Sequence, residues 1–283
     1  MKSQTLPQVR LHTSYQMLVN QSHPLPPLAA PDLAAPDPAC PDVLMERHAA
    51  PLLSACIRAV NGAGKIIPVS GWRSHEEQQQ IWDDTLAKEG PVFTRNYVAF
   101  PGCSEHESGL AIDLALAAPE IDFIRPEFPY TGVCGEFRRL APRYGFVERY
   151  RAEKQSITGI AAEPWHFRYV GVPHAQLMEE LGLCLEEYLE LLRHRFLQFR
   201  SENGRRAKVQ YLPNLSALPD NASGYRQLSL DNAGGIILTQ WEGFVCPAPA
   251  CPRWICSAWE PLFWWLPYTH PLWKVFPPIW ISG

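Results

Sequence analysis

The chain has 283 residues, 46% hydrophobic and 19% charged, a balance that excludes a disordered polypeptide and suits one sizeable domain with an appendage, or two small domains. Its formal net charge of −4, with no basic stripe, excludes an electrostatic case for binding nucleic acid or an anionic membrane. No uninterrupted apolar run reaches the roughly 18 residues that a spanning helix needs, so no spanning membrane segment is expected.

The N-terminal stretch MKSQTLPQVRLHTSYQMLVNQ has no continuous apolar segment after its lysine and no small-residue cleavage site, which makes a soluble cytoplasmic protein the expectation. The eight cysteines form no CxxC pair, and the first five read as plain thiols. Residues 1–22 carry a short apolar run around Met17 and Val19. Residues 23–42 are rich in proline and alanine. Proline removes donors and fixes φ, so an extended segment laid over the domain is expected rather than regular helix or sheet.

A helical pattern follows over residues 43–61, with Leu44, Ala55, Ile57 and Val60 apolar and a stop at Gly62. KIIPVSGWRS reads as a short strand ending in a turn at Gly71, and HEEQQQIWDDTLAKEG as a second helix with acids in its first turn and Gly90 just past its end. Residues 103–118 start polar and then place Leu110, Ile112, Leu114 and Leu116 in alternation, which predicts a strand. A helix is expected over 136–144, closed by Gly145, then strands at GFVERY and EPWHFRYVGV. HAQLMEELGLCLEEYLELLRHRF reads as one long helix running through Gly182.

Beyond Arg200, three β-like runs (AKVQYLP, YRQLSL and GGIILTQW) suggest a small appended β element. From Gly243 the chain is crowded with tryptophan and proline. A poorly packed extension is expected there, with a membrane-surface element as the alternative because tryptophan favours interfaces. The division is therefore an N-terminal segment packed on the domain (1–42), a main domain (43–200), a β extension (201–242) and a tail (243–283). There is no internal repeat.

The residues with the strongest chemistry are Ser104-Glu105-His106-Glu107-Ser108-Gly109-Leu110-Ala111-Ile112-Asp113, joined some fifty positions later by Glu163-Pro164-Trp165-His166. A catalytic zinc needs three neutral or anionic protein ligands and an open position for water, and two histidines with a carboxylate meet that need. His106 and Asp113 would sit at the two ends of a turn-to-strand passage that bends at Gly109. Glu163 is the natural general base, able to take a proton from water and pass it to a leaving amine. Glu163 and His166 would point to opposite faces of a regular strand, so Pro164 must impose a bend if both face a metal. Spacing by itself supports no more than a possible metal site.

The patterns SxHxxGxAxD and ExWH, in this order and separation, resemble the signature of the zinc D-alanyl-D-alanine peptidases. That family includes the VanX, VanY and VanXY enzymes of glycopeptide resistance and shares its fold with the hedgehog signalling domain. LVNQSHPLP, SGWRSHEEQQQIW, PGCSEHESGLAIDLAL, IDFIRPEFPYTGVCGEFRRLAPRYGFVERY and ITGIAAEPWHFRYVGVPHAQLMEELGLCLEEYLELL carry the resemblance across most of residues 15–195, and the IDFIRPEFPY and GVCGEFRRLAPRYGF segments look most like the VanXY type. The resemblance implies one Zn2+ held by His106, Asp113 and His166, with Glu163 as base. It implies that Arg73 faces the scissile carbonyl, where its permanent charge would stabilise an oxyanion. Gln78 would help to bind the substrate carboxylate, and Ser104 would lie beside the substrate. Cys103 and Trp72 stand where many members carry tyrosine, and Cys103 is read as a packing residue.

The fold implied is α+β: a small, mainly antiparallel sheet carrying the zinc site, with helices packed on one side and a small C-terminal β extension. The function implied is hydrolysis of the terminal D-Ala-D-Ala bond, in the free dipeptide or in a peptidoglycan precursor. A peptidase for another cell-wall bond, of the L-Ala-D-Glu type, and a non-catalytic zinc-stabilised binding module are the alternatives.

Overall fold

Where proline withholds its N–H, neighbouring residues can still pair. In the proline-rich stretch Leu33–Ala34 (β1) forms a two-residue antiparallel ladder with Met45–Glu46 (β2), so this part of the segment is short sheet rather than irregular chain. The computed structural model describes residues 14–25, 31–219, 225–231 and 235–242, and the expectations for residues 1–13, for 26–30 and for the tail from 243 fall outside them.

The first helix, Ala49–Ala59 (α1), is shorter than the 43–61 expected. The Glu46 carboxylate accepts the N–H groups of His48 and Ala49 at 2.9 and 3.0 Å, which satisfies first-turn donors and leaves the preceding residues free to extend as β2. Ile66–Ser70 forms β3. Helix α2, His75–Tyr97, starts with a reciprocal cap between Ser74 and Glu77 and runs past Gly90. Gly90 breaks the helical geometry at φ 79°, and Pro91 begins a second segment there, a position where its missing N–H costs nothing.

A 3-10 turn, Glu105–Ser108, leads into β4, Ala111–Leu116. Helix α3, Gly132–Leu140, starts earlier than expected and passes into a 3-10 turn, Ala141–Tyr144, before Gly145. Strand β5, Phe146–Tyr150, the short helix α4, Gln155–Thr158, and strand β6, Glu163–Tyr169, follow. The single long helix expected next is two, α5 (His174–Leu181) and α6 (Leu185–His194). Gly182 takes φ 64° and returns its N–H to Glu179, while the Glu187 carboxylate accepts the Cys184 N–H at 2.9 Å and starts the new helix.

The central sheet has the order β3-β4-β6-β5, antiparallel throughout. Phe128, Phe137 and Phe167 are fully buried and meet edge to face, with ring centroids 5.8, 5.5 and 5.1 Å apart. Such pairs add about 0.5–1.5 kcal/mol each beyond their burial. A second antiparallel sheet, of order β7-β8-β10-β9, combines Leu197–Arg200 (β7), Arg206–Leu212 (β8), Tyr225–Leu230 (β9) and Ile236–Trp241 (β10). It therefore has one strand more than the runs read beyond Arg200, and it begins at Leu197. Phe199, Ala207, Val209, Ile237 and Trp241 join Leu177, Met178, Leu185, Tyr188 and Leu192 of α5 and α6 in one apolar core. The architecture is α+β.

Candidate metal centre and active site

Register in the central sheet assembles the site. Asp113 on β4 pairs with Ser70 on β3 and with His166 on β6, so the three side chains stand in one row on one face. His106 comes from the 3-10 turn, and Gly109, at φ 74°, closes that turn and hands the chain to β4. The ligating atoms of His106, Asp113 and His166 lie within 4.8 Å of one another, and all three residues are buried. Among the described residues this is the one group of three or more His, Cys, Asp or Glu donors close enough to share a cation.

His106 Nδ1 donates to the carbonyl of Gly71 at 2.7 Å, which leaves Nε2 with its lone pair facing Asp113 Oδ2 at 3.2 Å. Gly71 is required where it stands, because a Cβ there would fall 2.0 Å from the carbonyl oxygen of Leu44. His166 turns the other way: its Nδ1 lies 3.0 Å from Asp113 Oδ1. The donor set, two imidazoles and a carboxylate, suits zinc.

Glu163 does face this group, with Oε2 3.6 Å from His166 Nδ1. The ladder between β5 and β6 is irregular here: Glu148 pairs with Phe167, and Tyr150 already pairs with Glu163. Strand β6 thus carries extra residues in a bulge that includes Pro164, and the bulge turns Glu163 onto the side of His166. The Pro164 carbonyl is tied down by Arg138 Nη2 at 2.6 Å.

Arg73 spreads its guanidinium across the site. Its Nε donates to Ser70 Oγ at 2.9 Å, its Nη2 to Asp113 Oδ2 at 3.2 Å and its Nη1 to Gln78 Oε1 at 3.3 Å. Gln78 is buried and donates to the Ala99 carbonyl at 2.8 Å, so both ends of its amide have protein partners. Ser104 is buried just ahead of the 3-10 turn, and its side chain does not cap that turn. Cys103 is a buried free thiol, raised by desolvation, and stands outside the donor group. The half-exposed Phe123 ring lies 5.6 Å from the Arg73 guanidinium carbon and forms a lip beside it.

The protein's own charges poise these groups for a positive ion. Burial pushes Glu163 up to about 8, with Asp113 adding to the push. Burial also disfavours the Asp113 carboxylate, yet the His106 and His166 imidazoles outweigh it and hold Asp113 below its ordinary value. Desolvation, then Arg73, lowers His106. For His166 desolvation is outweighed by hydrogen bonds to Asp113 and Glu105, which bring it up to about 9.

Spacing does not single out three charged residues that lie behind His166: Glu105, Arg149 and Arg168. A signal for the arginines was present, since each lies among the large apolar and aromatic residues of a strand (FVERY, HFRYV), and a charge on a buried strand needs an ion partner. No described helix is long and apolar enough to cross a membrane.

Comparison with known proteins gives the same family from several directions. The family model VanY, D-alanyl-D-alanine carboxypeptidase, matches residues 42–172. The chain is 39% identical over 184 residues to the bifunctional D-Ala-D-Ala dipeptidase and D-Ala-D-Ala carboxypeptidase VanXYC of Enterococcus gallinarum, covering 64% of this chain and 97% of that protein. Among solved structures, the vancomycin-resistance D,D-dipeptidase VanXYg in complex with a D-Ala-D-Ala phosphinate analog matches with a TM-score of 0.78 at 41% identity, over 82% of this chain and 95% of that one. A mutant of the D,D-pentapeptidase VanY from a VanB-type resistance cassette, in complex with Zn(II), matches with a TM-score of 0.52 at 31% identity, over 62% of this chain and 98% of that one. These relatives are matched along 95–98% of their own length, and the chain belongs to the VanY/VanXY family of D,D-peptidases.

Proposed function

We propose that the chain is a zinc-dependent D-alanyl-D-alanine peptidase that hydrolyses the terminal D-Ala-D-Ala bond of the free dipeptide or of a peptidoglycan precursor. The observation that carries this reading is the buried Glu163 carboxylate turned onto the side of His106, Asp113 and His166. A purely structural site has no use for such a base. The relatives support the substrate: VanXYC is a D-Ala-D-Ala dipeptidase and carboxypeptidase, and VanXYg binds a D-Ala-D-Ala phosphinate analog.

His106, Asp113 and His166 would hold the zinc, which when bound polarises a carbonyl and makes water a stronger acid. Glu163 takes the proton of the attacking water and delivers it to the leaving amine. Arg73, oriented by Ser70 and Gln78, directs its charge at the oxygen that becomes negative as the carbonyl is attacked. Gln78, beside Arg73, would help to bind the substrate carboxylate, and Ser104 would line the substrate beside His106. Residues 43–200 would supply this machinery, with the second sheet as a brace against α5 and α6.

The test is amino-acid release from D-Ala-D-Ala, a D-Ala-ending pentapeptide and an L-Ala-D-Glu peptide. Hydrolysis of either of the first two, lost on chelation and restored by Zn2+, is expected. Cleavage confined to the third peptide reassigns the substrate, and tight zinc without hydrolysis of any peptide leaves a binding module.

A further inference from the structure

The two histidines of the centre are presented through opposite nitrogens, and each has a different partner behind it. His106 gives its Nδ1–H to the Gly71 carbonyl and turns Nε2 inward. His166 turns Nδ1 inward, toward Asp113 Oδ1 at 3.0 Å and Glu163 Oε2 at 3.6 Å, and its Nε2 faces Glu105 Oε2 at 3.4 Å. Among the described residues Nε2 has no other hydrogen-bond partner.

Resting on the zinc reading above, we propose that Glu105 is a positioning residue for the metal centre: its carboxylate accepts the Nε2–H of His166 and so keeps the Nδ1 lone pair aimed at the cation.

Glu105 is buried and lies against two guanidinium groups. Arg149 Nε donates to its Oε1 at 2.8 Å, and Arg168 Nη1 approaches the same oxygen at 2.8 Å as an ion pair off the hydrogen-bonding direction. Both arginines are themselves fixed. Arg149 donates to both Glu186 oxygens on α6, at 2.8 and 2.6 Å, and Arg168 to the main-chain oxygens of Met17 and Tyr169, at 2.7 and 3.1 Å. A carboxylate held in this way is ionised and can only accept. A neutral imidazole carries one N–H, so an acceptor at Nε2 places the hydrogen there and leaves Nδ1 free to ligate. The asymmetry of the carboxylate follows: Oε1 is occupied by the arginines, and Oε2 remains for the histidine.

Two measurements test this. In zinc-loaded, 15N-labelled wild-type protein, long-range proton–nitrogen correlation spectra are expected to show His166 with its hydrogen on Nε2. A hydrogen on Nδ1 overturns the proposal without any variant being made. In Glu105→Gln, which keeps the shape and removes the charge, competition with a chromophoric chelator should show zinc held about 10- to 100-fold more weakly. Circular dichroism and the elution volume report separately whether that variant is folded. Wild-type protein that takes up no zinc sinks the metal reading and this proposal together. Normal uptake by wild type with unchanged affinity in folded Glu105→Gln sinks the positioning role alone.

Discussion

Glu163 and His166 are separated by three positions on β6 and still face one another, with Glu163 Oε2 3.6 Å from His166 Nδ1. A regular strand would put them on opposite faces; the bulge between Phe167 and Glu163 does not. A carboxylate and an imidazole are thereby brought side by side from a single strand.

Removing the base should separate chemistry from metal binding. Glu163→Ala is expected to lower kcat by about 100- to 10,000-fold with zinc content unchanged by metal analysis. Near-normal turnover in that variant would place the base elsewhere.

Arg73 makes three directed contacts from one planar group, to Ser70, Gln78 and Asp113. Arg73→Ala should cost about 100- to 1,000-fold in kcat. Arg73→Lys should recover little, because an ammonium is a point charge without the fork. Full recovery by lysine, measured as kcat and KM on the dipeptide, would show that charge alone is sufficient.

Buried His174 joins Tyr188 on α6 to Thr239 on β10, at 2.7 and 2.9 Å, and desolvation lowers it from 6.5 to about 3. Across that interval the unfolded chain binds a proton that the folded protein refuses. Stability therefore rises with pH through this window and is lost as the pH falls through it. Thermal melts between pH 7 and about pH 4 should show a steeper acid decline for wild type than for His174→Gln. Parallel curves would remove His174 from the acid response.

Gly71→Ala places a Cβ where the Leu44 carbonyl already stands, 2.0 Å away, and the clash is with backbone that cannot rotate aside. A loss of about 1–3 kcal/mol or more in unfolding free energy is expected from denaturant titration. Because Gly71 also supplies the acceptor for His106 Nδ1, zinc affinity should fall in the same variant. Wild-type affinity in a destabilised protein would uncouple the two roles.

Much of the fold was legible because period and punctuation agree locally. Strand β3 ends at Gly71, β5 starts just after Gly145 and β6 stops short of Gly171, and α2 is capped by Ser74 with Glu77 in reach, a pairing visible in the letters SHEE. The misreadings have local physical causes. Gly182 is compatible with a helix by composition but adopts positive φ, and Glu46 caps α1 with a side chain that no periodicity analysis counts. Strand β7 was hidden at the end of a helical pattern, because its pairing with β8 comes from residues that follow it.

The order of residues carries the chemical types: a histidine and an aspartate in a turn-to-strand motif, a second histidine with a glutamate three positions before it, and an arginine after a strand. Spacing along the chain could not determine which way each side chain turns. Strand pairing puts Asp113 and His166 in one row, a bulge brings Glu163 round to them, and long-range partners make His106 and His166 offer different nitrogens. The reason is that a ring's orientation is set by the acceptor behind it. Those acceptors, the Gly71 carbonyl and the Glu105 carboxylate held by Arg149 and Arg168, reach the histidines through space, from other strands and turns.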